Sequence, residues 1–216
     1  MDAFLVPESG ATLVPVITSF LKRLKERQKY RKWLADGCPD PPPPMAKQEM
    51  LREYAHKFGL QILVESGTFL GDTVEAMRHE FRTVHSVELA PKFHEHAKRR
   101  FLGARNVVLH QGDSGKVLED LVKDLDAPVL FWLDGHYSGG DTAQGESNCP
   151  VRQELEAIFG GMTQPFVVLI DDARCFRNPK AKDYPPVEEI EAFVAARRPD
   201  LGVKVAMDCI RIAPKA

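Results

Sequence analysis

The feature that most constrains this chain is a rhythm starting at Lys47. Short apolar runs alternate with stretches of helical spacing. The runs are Gln61–Ser66, Thr83–Glu88, Val107–His110, Val129–Leu133 and Phe166–Ile170. Helical patterning falls at Gln48–Phe58, Thr73–Glu80, Pro91–Phe101, Gly115–Leu125, Val151–Phe159 and Val187–Ala196. The runs are too short for helices, and several are apolar at consecutive positions, the mark of strands buried on both faces. Strands alternating with amphipathic helices predict βαβ units and a parallel sheet covered on each side. Two last runs, Val203–Ala206 and Cys209–Ile212, are separated only by Met207-Asp208 and predict an antiparallel hairpin at one edge. The expected fold class is α/β, a doubly wound, mostly parallel seven-stranded sheet.

Residues 1–45 differ and are expected to form an extension to the main domain, 46–216. Val14–Trp33 has helical spacing at Val16, Ile17, Phe20, Leu21 and Leu24. Residues 20–35 carry Lys22, Arg23, Lys25, Arg27, Lys29, Arg31 and Lys32 against Glu26, a net +6, so the remainder of a −2 chain is −8. Cys38-Pro-Asp-Pro-Pro-Pro-Pro-Met45 is expected to break the helix and run as an extended spacer. The basic helix fits a solvated face, a homodimer arm or a peripheral contact with an anionic membrane or acidic partner. Near-neutral overall charge argues against a nucleic-acid partner. No apolar run is long enough to span a bilayer. The N-terminal stretch does not read as a signal peptide, because Asp2, Glu8 and prolines interrupt it. Four cysteines without C-x-x-C spacing suggest neither zinc nor disulfides, and a cytoplasmic setting is expected.

Ligands of open parallel sheets bind beyond the carboxyl ends of the strands, near the point where strand order reverses. The residues there are Glu65-Ser-Gly-Thr-Phe-Leu-Gly-Asp-Thr73, Glu88, Gly112-Asp-Ser114, Asp134-Gly-His136 and Asp171-Asp172. Four of the five strand mouths carry acids and Asp113 closely follows the fifth. The first turn has Gly67 and Gly71 but not the G-x-G-x-x-G pattern that brings backbone close to a pyrophosphate. Glu65 would repel a phosphate and welcome a cation. A positively charged nucleoside without phosphate fits better, with Glu88 accepting from ribose hydroxyls and Asp113 beside the adenine amino group.

Val64–Thr73, Val87-Glu88 and Gln111-Gly-Asp-Ser114 resemble, in order and spacing, the cofactor motifs of class I S-adenosylmethionine-dependent methyltransferases. The resemblance covers about residues 47–213 and implies a Rossmann-like sheet with S-adenosylmethionine as cofactor. It implies that the Glu65–Thr73 turn, through Glu65, Ser66, Gly67, Thr68, Phe69, Gly71 and Thr73, bounds the methionine end. Glu88 then holds the ribose, Asp113 and Ser114 line the adenine pocket, and Asp134 borders the cofactor. Asp113 also reads as the N-cap of the following helix.

Asp134, Asp171 and Asp172 place carboxylates at adjoining strand mouths, which suits magnesium. The arrangement is similar to metal-dependent sugar O-methyltransferases of macrolide and aminocoumarin type, which carry an acidic general base where this chain has His136. A neutral imidazole can accept a proton, and His136 is read as base, metal ligand or substrate hydrogen-bonding group. Adjacent strand residues face opposite ways, so Asp171 and Asp172 converge only beyond the strand end. One of them can instead pair with Arg174 or Arg177. Tyr137 and Asp141 are candidate substrate contacts. His56, His79, His85 and His110 show no partner spacing for a metal, and His94 and His96 fall on different helix faces. The resulting expectation is methyl transfer to a small hydroxylated acceptor, a sugar or polyol, with a catechol-type O-methyltransferase or a non-catalytic methyltransferase-like domain as alternatives.

Overall fold

The computed structural model describes residues 13–135, 149–178, 180–181 and 183–215. The chain divides into two compact units, Met1–Lys47 and Gln48–Ala216. In the first, helix α1 spans Leu13–Ala35 and ends as Gly37 and Cys38 turn to positive φ. The Trp33 indole N–H donates to the Pro39 carbonyl (2.7 Å), and the Trp33 ring stacks on Tyr30. The proline segment therefore folds back along the end of α1. It is shorter than the sequence suggests, because Pro44 is already the first residue of α2, Pro44–Phe58. Proline suits that position, where a missing N–H costs nothing and φ is preset for a helix.

The second unit carries seven strands: β1 Ile62–Ser66, β2 Thr83–Glu88, β3 Val107–Gln111, β4 Val129–Leu133, β5 Phe166–Ile170, β6 Leu201–Ala206 and β7 Cys209–Pro214. Their order is β3-β2-β1-β4-β5-β7-β6. The first five are parallel, and β7 runs antiparallel to both β5 and β6. Met207 and Asp208, both at positive φ, make the two-residue turn of the edge hairpin.

The helices of this unit are α3 Asp72–Met77, α4 Pro91–Arg100, α5 Ser114–Leu121, α6 Val151–Gly161, α7 Ala173–Phe176 and α8 Val187–Arg197. Three depart from the sequence reading. Helix α3 stops at Met77, α5 tightens into a 3-10 turn at Val122–Asp124, and the four-residue α7 was not expected.

Every residue of β1, β4 and β5 is buried, as strands covered on both faces must be. Successive residues serve different cores. Ile62, Val64, Phe131, Leu133, Val168 and Ile170 pack with Leu118 of α5, Leu155 and Ile158 of α6 and Ile190 of α8. Leu63, Leu130, Trp132, Val167 and Leu169 pack with Met50 and Leu51 of α2, Val74 and Met77 of α3 and Ala97 of α4. Each such side chain contributes roughly 2 kcal/mol of transfer free energy. Strand order reverses between β1 and β4, so their carboxyl ends open the crevice where a ligand belongs.

Candidate functional site

The turn after β1 is fixed by its backbone. The N–H groups of Gly67 and Thr68 both reach the Val87 carbonyl of β2 (2.9 and 3.3 Å), and Gly71 N–H closes on Thr68 O (2.7 Å). Gly67 has φ +86, and a Cβ there would lie 2.5 Å from the Asp134 carbonyl oxygen. Only glycine lets the β1 turn lie against the end of β4. Phe69, a non-glycine at φ 48, exposes its ring and meets Phe93 of α4 edge-on at 4.7 Å.

Three carboxylates border this turn. Glu88 is buried, and its two oxygens accept the backbone N–H of Phe69 (2.7 Å) and of Ala90 (2.8 Å). A carboxylate has further acceptor positions, so Glu88 both pins the turn and can still meet ribose hydroxyls. Glu65 is only 2% exposed. It accepts the Ser86 hydroxyl at 2.5 Å, and Ser86 in turn shares a 2.6 Å bond with Thr68. Burial pushes the Glu65 carboxyl up to about 8; the bond from Ser86 lowers it, the charge of Asp134 raises it, and smaller effects come from Thr73 and Glu88. Among the described residues, no cationic side chain figures in that shift. Ser66 is buried with its hydroxyl oxygen unpartnered among the described residues. Asp113 caps α5 by accepting Gly115 N–H at 3.0 Å, and Ser114, the first residue of α5, is buried beside it.

The mouths of β4 and β5 are built differently. Asp171 is buried, its N–H reaches Leu133 O, and its carboxylate accepts the Asp172 N–H at 2.8 Å. Asp172 sits at φ 56, already beyond the strand, and pairs with Arg174 at 2.8 Å. Arg174 also pairs with the buried Asp208 of the hairpin turn, which additionally accepts the Arg174 N–H at 2.8 Å. The expected gathering of Asp134, Asp171 and Asp172 around magnesium is not seen: among the described residues no group of three or more His, Cys, Asp or Glu is arranged to hold a metal ion. Asp172 turns to Arg174, and the Asp171 carboxylate accepts the Asp172 N–H. His136, Tyr137 and Asp141 lie outside the described residues.

Sequence reasoning passed over Ser86 and Glu154. Ser86 is a polar residue inside a strand and is fully buried. Glu154 is fully buried on α6, and a Cβ on Gly135 would sit 3.6 Å from its carboxylate. Its signal was available: it sits three residues after Val151 in the row of buried positions continued by Leu155 and Ile158. His85 and His110, read as unrelated, meet across β2 and β3 with ring nitrogens 3.0 Å apart.

The chain matches no protein-family model and no curated protein in sequence. Solved structures do match. The O-methyltransferase TomG from Streptomyces achromogenes, involved in tomaymycin synthesis and solved with S-adenosylmethionine, is 17% identical with a TM-score of 0.59, covering 88% of each chain. The O-methyltransferase from Bacillus cereus, solved with S-adenosylhomocysteine, is 15% identical with a TM-score of 0.59, covering 88% of this chain and 90% of that one. The S-adenosylhomocysteine-bound methyltransferase PaMTH1 of Podospora anserina is 15% identical with a TM-score of 0.55 over the whole of both chains. The chain therefore has the Rossmann-like fold of class I S-adenosylmethionine-dependent methyltransferases.

Proposed function

We propose that the chain is an S-adenosylmethionine-dependent O-methyltransferase acting on a small hydroxylated acceptor, a sugar or polyol. The observation that carries this reading is the set of buried acids beside the β1 turn. There the charges of Asp134 and Glu88 raise the buried Glu65 carboxyl, and neither Glu65 nor Glu88 pairs with a cationic side chain among the described residues. A buried negative cluster is costly unless something positive joins it, and the sulfonium and ammonium groups of the cofactor fit that need.

The chain's residues divide the work. Glu65 and Asp134 offset positive charge beside the β1 turn. Gly67 lets the β1 turn pack against the end of β4, where a Cβ would meet the Asp134 carbonyl oxygen at 2.5 Å. Glu88 orients the ribose, and Asp113 with Ser114 bounds the adenine. Phe69, held by its bond to Glu88, and Phe93 form an apolar wall. The cofactor, when bound, supplies a methyl group on a positively charged sulfur. Transfer of that methyl group to the acceptor oxygen would leave the carbon–sulfur electron pair on sulfur. The acceptor's proton passes to His136, two residues beyond Asp134, as general base. Among the described residues the carboxylates at the β4 and β5 mouths form no group that holds a metal ion, and no step is assigned to one.

The test is methyl transfer from labelled S-adenosylmethionine to a panel of sugars, polyols and catechols. The expected result is a methyl ether on a sugar or polyol, and loss of transfer in excess chelator would add a divalent ion to the mechanism. His136→Ala should lower turnover about a hundredfold while cofactor affinity stays within about twofold. Cofactor binding without transfer to any hydroxyl would leave a methyltransferase-like binding domain instead. Transfer to catechols alone would reassign the acceptor.

A further inference from the structure

The exposed side of α1 is a second candidate for function, independent of methyl transfer. Glu26, Tyr30 and Trp33 share one face of α1, at i, i+4 and i+7, and are the residues partly or fully withdrawn from solvent. Trp33 is tied to the returning proline segment through Pro39. Everything else from Leu24 to Ala35 is exposed. Leu24, Arg27, Gln28, Arg31 and Leu34 follow one another along one side, and Lys25, Lys29 and Lys32 flank it at the same spacing. Lys29 and Lys32 pair with Glu26 and Asp36, but Lys25, Arg27 and Arg31 form no ion pair among the described residues. Leu24 and Leu34 stand 40% and 47% exposed in the middle of this charge. In the sequence, Ile17, Phe20 and Leu21 precede Leu24 at helical spacing.

We propose that this face of α1 docks on an anionic phospholipid surface. Charge complementarity supplies the attraction and the leucines supply the depth. Long Lys and Arg stems reach outward to headgroups while apolar side chains between them enter the acyl boundary. A nucleic acid would use the cations but has no use for the leucines. The orientation is that of a helix lying on the surface, since no helix among the described residues is long and apolar enough to cross a membrane.

The test uses the full chain in co-sedimentation with vesicles of phosphatidylcholine alone and of phosphatidylcholine with phosphatidylglycerol. Binding to the anionic vesicles only, weakened by salt, is expected. The triple variant Lys25→Gln, Arg27→Gln, Arg31→Gln should lose on the order of a hundredfold in partitioning, about fivefold per cation. Leu24→Gln with Leu34→Gln should lose about tenfold on the same vesicles. All five positions are exposed, so unchanged circular dichroism is expected and excludes misfolding as the cause. Equal binding to both vesicle types, or none to either, would overturn the proposal. So would tighter binding to an RNA duplex than to anionic vesicles, insensitive to the leucine substitutions.

Discussion

The two halves of the sheet carry acids at the same positions and use them in opposite ways. At the mouths of β1 and β2, Glu65 and Glu88 are buried with only hydroxyl and backbone donors among the described residues, and Glu65 is held partly protonated by burial and by its negative neighbours. At the mouth of β5, Asp172 and Asp208 share Arg174 within the protein. Among the described residues, Glu65 and Glu88 meet no cationic side chain, whereas Asp172 and Asp208 meet Arg174. An acid at a strand end is thus not a ligand site until its partners are known.

The largest effect should come from the point where the regions touch. Gly67→Ala forces a Cβ to within 2.5 Å of the Asp134 carbonyl oxygen and 3.1 Å of Gly135 Cα, at a φ that L-residues avoid. Because both neighbours are backbone, relief must move the turn. Cofactor affinity should fall at least about a hundredfold with roughly 3 kcal/mol of stability, read by calorimetry and urea unfolding. Next comes Arg174→Ala, which strands the buried Asp208. It should cost about 3 kcal/mol in urea unfolding yet leave cofactor affinity within about twofold. A large loss of affinity would show that the mouth of β5 also serves the cofactor.

The smallest effect is a pH dependence confined to the first region. Burial and the nearby His110 lower the His85 imidazole to about 4, while the unfolded chain titrates near the ordinary 6.5. The unfolded state alone takes up a proton as pH falls through this window. Stability should therefore be full above about 6.5 and erode by about 2 kcal/mol toward 4, after allowance for solvent screening. Thermal melts of His85→Gln should show a flatter acid limb. Glu65 acts in the other direction: its raised pKa means stability is lost as pH rises through about 8.

What the sequence revealed follows the same division. Strands β2, β4 and β5 fall where the runs place them, residue for residue; in β4 and β5 burial on both faces leaves a continuous apolar signature. The turn chemistry was also legible, since Gly67 and Gly71 take the positive φ values that only glycine adopts freely. Pairings between distant residues were not. Arg174 and Asp208 stand 34 positions apart, and Ser86 and Glu65 stand 21 apart. Periodicity reports which face a residue occupies but not which group meets it there. That is why the three aspartates looked alike in the sequence, although one of them pairs with an arginine.

The most direct measurement is calorimetric titration of the full chain with S-adenosylmethionine at neutral pH in buffers of differing ionisation enthalpy. If a positive nucleoside joins the buried acids beside the β1 turn, Glu65 must ionise as it binds. Titration should then give measurable heat with release of about one proton, and Glu65→Gln should abolish the release. Binding without proton release in the unsubstituted chain, or no binding heat at all, would contradict the account.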